Sequence, residues 1–225
     1  MHAAPWQSLR PERAEDHMPR IGDTRTKILE VAEAEFAAEG YAGAHLQKIA
    51  EQVGVRKTAL YYYFASKAEL YTDVLGTILE AFDHCIATAL ESSGSPEGQL
   101  EELVARVNDL LAERPNYARI LLRVFVDHGP SEMETVLPTV RRMGDRVLQF
   151  FQRGIDEGAF RPLSSRHLLQ SVFGMMIFHY AAPYYSARMV GVDDVFTRPV
   201  VAWRRDEVIS LLRDGMRARP DDAKP

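Results

Sequence analysis

The chain has 225 residues, 46% of them hydrophobic and 26% charged, with a formal net charge of −5. That is ample apolar material for a packed core, and the lone Cys85 excludes an internal disulfide and any multi-cysteine zinc site. The acidic total does not exclude nucleic acid, because a local basic patch can act within an acidic whole.

Residues 1–22 mix prolines with both signs of charge and lack the apolar run of a signal or transit peptide, so they read as a disordered arm. Asp23 is placed to cap a first helix whose apolar side is Ile28, Ala32 and Phe36 and which Gly40 ends. The stretch from Leu46 to Leu70, LQKIAEQVGVRKTALYYYFASKAEL, then holds two short helical patterns around Gly54 and a third helix start at Ser66. Leu46, Ile49, Ala50 and Val53 share one face of the first pattern, and Leu60 and Phe64 one face of the second. Gly54 supplies the left-handed residue between them, which is helix-turn-helix spacing.

Arg56, Lys57, Thr58, Tyr61 and Tyr62 are left on the outward face of the second helix. Their forked, hydroxyl or flat ends suit base edges and phosphates in a major groove. Ser66 and Glu69 have the spacing of a capping box, which puts Lys67 at the first helical position. A cation there opposes the helix dipole unless an anion docks beside it, and a DNA phosphate is the expected anion. With Lys48, the segment from His45 to Lys67 carries four cations against the single acid Glu51.

This region resembles the N-terminal domain of the TetR family of transcriptional regulators over Thr24 to Leu75. Gly40-Tyr41, Ile49-Ala50, Gly54-Val55, Leu60-Tyr61, Tyr63-Phe64 and Ser66-Lys67 all stand at the family's spacings. The resemblance implies an all-α protein in which an N-terminal helix-turn-helix domain is joined by a long helix to a C-terminal ligand-binding and dimerisation domain. Three positions depart from the pattern. Ala44 and His45 replace a hydroxyl pair that would cap the second helix, and Arg56 replaces a capping serine, so two weakened caps are expected, each costing on the order of 1 kcal/mol at most.

A long helix follows from Lys67 to about Ala89, with Leu70, Val74, Ile78, Phe82 and Cys85 at helical steps, and it belongs to both halves of the molecule. Its position suggests a lever by which an effector near Phe82 moves the DNA-reading end. SSGSPEG, 92–98, is a loop. Helices are predicted over Gln99 to Glu113, Tyr117 to Val126, about Glu132 to Glu157 with Pro138 in its first turns, a stretch capped by Ser165, and roughly Val200 to Arg217. His128-Gly129-Pro130 stops the second of these.

Between Val172 and Ala182 the chain is apolar nearly all round, yet too short and too interrupted to span a membrane. Such a helix needs cover on two sides, and a second copy of the chain can supply one. Val172, Met175 and Phe178, with Val208, Leu212 and Met216 on the last helix, are the expected dimer contacts of a four-helix interface. Phe82, Tyr117, Phe125, Phe173, Met176, His179 and Tyr180 are the candidates for an effector-binding wall, although residues of this kind serve equally as plain core with satisfied polar tips.

The chain divides into an arm, 1–22, a DNA-binding domain, 23–69, an effector-binding and dimerisation domain, 70–218, and a tail, 219–225. It has no GxSxG, Walker A or GxGxxG, and its histidines have no ligand spacing, so no catalysis, cofactor or metal is expected. The function expected is a cytoplasmic, homodimeric repressor that binds an inverted-repeat operator in double-stranded DNA and is released by a small, largely apolar or aromatic effector. The alternative is a DNA-binding regulator without an effector, acting as an activator or controlled by a protein partner.

Overall fold

The computed structural model describes residues 21–127 and 134–218; residues 1–20 of the arm, the His128-Gly129-Pro130 stop and the tail after 218 lie outside the described residues, and the last two arm positions belong to the first helix. Within them the protein is all-α: ten helices, no strand, and one isolated antiparallel bridge between Phe160 and Arg217. None of these helices is long and apolar enough to cross a membrane.

Helix α1 (Ile21–Gly43) is interrupted at Gly40, whose φ of 71° only glycine takes readily. Asp23 lies inside its first turn rather than at its cap, because the helix already runs from Ile21. Ile28, Ala32 and Phe36 bury their side chains against α2 (Leu46–Val53) and α4 (Lys67–Leu90). Helix α2 ends at Gly54 (φ 85°), where the Val55 N–H donates to Ala50 O at 2.9 Å and the Gly54 N–H reaches Glu51 O at 3.2 Å. That paired closure is a Schellman motif, and it turns the chain sharply into α3 (Lys57–Tyr63).

Neither α2 nor α3 has a side-chain cap at its first residue, His45 or Arg56. Helix α2 is compensated from α1: the buried Glu35 accepts the His45 N–H at 3.3 Å and pairs with Lys48 at 2.6 Å. A carboxylate from a neighbouring helix thus takes the N-cap N–H that a capping-box glutamate would take, at the positive end of the helix dipole. At α4 the Ser66 hydroxyl accepts from the Glu69 N–H at 3.0 Å, and the Glu69 carboxylate reaches back to the Ala65 N–H at 2.6 Å.

Helix α4 continues into the C-terminal body, packing on α5 (Pro96–Glu113) and α7 (Leu137–Asp156). Ser95 caps α5 and Pro96 opens it, so this helix starts earlier than the loop reading of 92–98 allowed. Helix α6 (Pro115–Asp127) likewise begins on a proline, packing on α1 and on α8 (Ser165–Ala181). Ser164, not Ser165, precedes α8, and it makes no side-chain cap. Pro183 starts a separate short helix, α9 (Pro183–Val190), before α10 (Arg198–Met216) packs on α5.

Phe160, in the turn after α7, shows how closely this body is fitted. Its ring lies on Gly154, where an added Cβ would come within 2.3 Å, and against Phe150 and Phe151. The Arg161 N–H donates to Met216 O at 2.9 Å and the Arg161 side chain to Gly215 O at 2.6 Å, which ties that turn to the end of α10.

Candidate nucleic-acid interface and effector cavity

Leu60 and Phe64 are 2% and 3% exposed and anchor α3 in the N-terminal core, which leaves Arg56, Lys57, Thr58, Tyr61 and Tyr62 facing solvent. On a helix of 7 residues a single buried position and its flanking Phe64 fix the rotation of the whole element. The outward row of cation, hydroxyl and two phenols therefore has a set direction, the requirement for reading base edges. Tyr62, 76% exposed, stands edge-on to Tyr63 and has no place in the core.

Lys48 is half-exposed and does not stand as a free cation on this face. Its ammonium is held by Glu35, whose charge raises its pKa above the ordinary lysine value chiefly through their hydrogen bond. The pair ties α2 to α1. Lys67 is also engaged: it donates to Ala42 O at 3.1 Å and lies over the Tyr41 ring, and partial burial lowers its pKa against the pull of Glu35. The grip holds its ammonium beside the α1–α2 turn, at the start of α4.

An apolar cavity of about 100 Å³ lies in the C-terminal body. Phe82 and Ile86 of α4, Val107 of α5, Phe151 of α7, and Phe173 and Met176 of α8 contribute to its wall, and every lining residue is apolar. Phe82, Phe173 and Met176, three of the effector-wall candidates, are among its lining residues. Phe125 is 66% exposed and does not line the cavity; its ring lies 5.4 Å from that of Phe173. A larger cleft of about 410 Å³ with a mixed lining, including Leu100, Phe160 and Ile209, lies between α5 and α10, where Arg213 and Glu101 pair with one another.

Tyr117, His179 and Tyr180 do not line the apolar cavity. The Tyr180 hydroxyl donates to Asn108 Oδ1 at 2.7 Å in a fully buried position. Tyr117 is buried under the Arg114 guanidinium, 5.0 Å from its ring centre. His179 packs edge-on against Tyr180, and burial together with nearby Arg204 pushes its pKa down to about 4. The Tyr180 hydroxyl is thus satisfied away from the apolar cavity, whereas His179 Nε2 is buried without a hydrogen-bond partner.

The expected dimer contacts divide in the same way. Val208, Leu212 and Met216 are 1%, 7% and 2% exposed and face the chain's own core, which corrects their assignment to a partner. Their periodicity is the stripe by which α10 packs inside its own subunit. Val172 and Met175 are half-buried, and Val172 lines the cavity, while Phe178 is exposed. The outward apolar residues of α8, α9 and α10 are Phe178, Tyr184, Tyr185, Met189, Trp203 and Leu211.

Sequence reasoning passed over Glu33 and Glu35, both buried acids on α1. Their one sequence signal is an acidic residue on or beside the Ile28, Ala32, Phe36 stripe, where an apolar residue would be expected. Asn108, fully buried on α5, gave a similar sign: a polar residue among Val104, Val107 and Leu111. Among the described residues no group of acids, histidines or cysteine is arranged to hold a metal ion.

Residues 28–74 match the family model described as bacterial regulatory proteins, tetR family, the span that contains the α2–turn–α3 unit and the start of α4. The Escherichia coli (strain K12) HTH-type transcriptional regulator RutR is 27% identical over 204 residues, covering 88% of this chain and 93% of that protein. The Pseudomonas putida HTH-type transcriptional repressor NicS is 34% identical over 98 residues, 44% of this chain and 46% of that protein. Among solved structures, AibR in complex with isovaleryl coenzyme A and operator DNA superposes with a TM-score of 0.68 at 16% identity, covering 84% of this chain and 97% of its own; that likeness shows the fold. With the family's DNA-binding unit matched in sequence and built in structure, and a full-length relative named as a regulator, the chain belongs to the TetR family of transcriptional regulators.

Proposed function

We propose that the protein is a homodimeric, cytoplasmic transcriptional repressor whose α3 helices enter successive major grooves of an inverted-repeat operator. A small apolar effector, or the apolar part of a larger one, releases it. The observation that carries this reading is α4: it begins at Lys67 in the DNA-reading unit and ends with Phe82 and Ile86 in the wall of an apolar cavity. Residues 23–69 would read DNA and residues 70–218 would hold effector and partner. Arg56, Lys57, Thr58, Tyr61 and Tyr62 are the contacts expected on α3, with Lys67 on a phosphate at the start of α4.

The size and lining of the cavity narrow the effector. A cavity of about 150 Å³ lined by aliphatic and aromatic side chains holds benzene. The space here is about 100 Å³, so without wall movement it takes a smaller apolar group and no charged one. AibR was crystallised with isovaleryl coenzyme A, whose short branched acyl group has that character, and this supports an acyl or similar hydrocarbon moiety inside with any charged part outside. The outward residues Phe178, Trp203 and Leu211 support a partner surface on α8 and α10.

Selection of bound fragments from random DNA tests the reading. The expected product is an inverted repeat with half-sites about 10 base pairs apart centre to centre, or a multiple of that. Recovery of fragments without any common sequence would sink it. Thermal-shift screening of branched and linear acyl compounds tests the effector: a binder at 100 times its Kd adds about 2.7 kcal/mol of stability.

A further inference from the structure

The DNA-reading unit meets the body at α4, which is continuous with both, and again at α6, which is not. At the second contact Glu33 of α1, 7% exposed, accepts from Arg114 Nη2 at 2.7 Å and from Asn116 Nδ2 at 3.2 Å. Arg114 ends α5 and Asn116 lies in the first turn of α6. Further along α6, Arg123 Nη2 donates to Ala38 O at 2.7 Å, just before α1 breaks at Gly40. A buried carboxylate with both oxygens occupied has one favourable geometry, and losing either donor leaves it charged and under-solvated. On its other side α6 packs along α8, where Phe125 rests edge-on against Phe173 of the cavity wall.

We propose that Glu33 is a positioning residue: its clasp with Arg114 and Asn116 sets the orientation of the DNA-reading unit on the body, and α6 carries the state of the cavity to that clasp through Phe173 and Phe125. This rests on the reading of the chain as an effector-controlled DNA-binding regulator. It adds a second link beside the α4 lever. Helix α4 is held by α5 and α7 in the body and by α1 in the DNA unit, whereas α6 lies between the cavity's α8 and the DNA unit's α1, so a displaced Phe173 acts on α6 through Phe125. A coupling element of this kind needs two alternative arrangements, and the clasp, made or open, supplies them.

The test measures orientation without DNA or effector. Nitroxide labels are placed by Gln52→Cys on α2 and Gln152→Cys on α7, both exposed, in a Cys85→Ala background, and labelled chains are diluted with unlabelled ones to isolate the distance within one chain. Glu33→Ala and Arg114→Gln should broaden or shift the distribution, while Glu33→Gln, which keeps an acceptor oxygen, should fall between them and the parent. If Glu33→Ala does not fold, Arg114→Gln, at a partly exposed partner, decides the matter. Filling the cavity by Val107→Trp should shift the distribution, and Phe125→Ala should abolish that shift. Clasp variants with the parent distribution would overturn the clasp. No shift on filling, or one that persists in Phe125→Ala, would overturn the relay. Clasp variants should also weaken binding to a selected operator about fivefold or more. A chain that bound no DNA would defeat the proposed function, and the distances would still judge the clasp.

Discussion

The two ends of α4 treat polar groups in opposite ways. Around its start, the charged groups of the DNA-reading unit are aimed by partners: Glu35 holds Lys48 and the α2 N-terminus, Glu69 returns to the Ala65 N–H, and Lys67 is gripped at Ala42 and Tyr41. Around Phe82 the cavity wall contains no polar side chain, and the nearby Tyr180 hydroxyl is turned to Asn108. One end recognises by direction and charge, the other by volume. The first depends on particular atoms in particular places, whereas the second can be built from many combinations of apolar side chains.

The sharpest way to break that contrast is in the last helix. Leu212→Glu puts a charge into the core and should cost several kcal/mol, enough to unfold the chain, whereas Leu211→Glu on the outer face should leave the fold intact and yield monomers. Circular dichroism with sedimentation separates the two outcomes. Equal loss of helix in both variants would show that the outer face is also part of the fold.

At the DNA end, Phe64→Ala should cost roughly 3 to 5 kcal/mol in denaturant unfolding, because the side chain is 3% exposed and leaves a cavity. Tyr61→Phe, at a half-exposed site, should change that midpoint little and lower operator affinity instead. Similar destabilisation by both would mean that α3 is rotated from the orientation described.

These placements also show which parts of the molecule were legible. Leu60, Phe64 and Gly54 were readable because helical period and a left-handed turn fix their roles locally. The inward direction of Val208, Leu212 and Met216 was not, since an apolar stripe has the same appearance whether its cover is α5 of the same chain or a partner. Glu33 and Glu35 were missed because the groups that justify a buried acid, Arg114, Asn116, Lys48 and the His45 N–H, come from elements brought together only by folding. The cavity wall was half legible: Phe82, Phe173 and Met176 follow from burial and period, but nothing local tells Tyr180 to satisfy its hydroxyl on Asn108.

A smaller effect sharpens the contrast within the body itself. His179 has a pKa near 4 in the folded chain against 6.5 for the free side chain, so the unfolded state binds its proton first. Stability should therefore be fully present above pH 6.5 and fall as pH drops from 6.5 toward 4, by up to about 3 kcal/mol. Urea titrations across that window should show the slope, and His179→Phe should flatten it. An unchanged slope in the variant would place the acid sensitivity elsewhere.

The smallest expected change is in salt dependence. Lys67→Ala should reduce the slope of log affinity against log salt by about 0.9, the loss of one phosphate contact, and weaken all operators alike. Lys57→Ala should instead alter sequence preference. An intact slope in Lys67→Ala would leave that lysine only its contacts with Ala42 and Tyr41.

The chain of bonds through Asn108 has a consequence for motion. Tyr180 of α8 donates to its carbonyl oxygen and its amide donates to Val201 O of α10, so a residue of α5 joins three helices at a fully buried point. Local opening of any one of them must break a bond that water cannot replace, so the three should exchange their amide hydrogens as one slow unit. Helix α9, which carries the exposed Tyr184, Tyr185 and Met189, makes no bond to that point and should exchange earlier. In Asn108→Leu the shared slow phase should split, with α10 the first to exchange independently of the others.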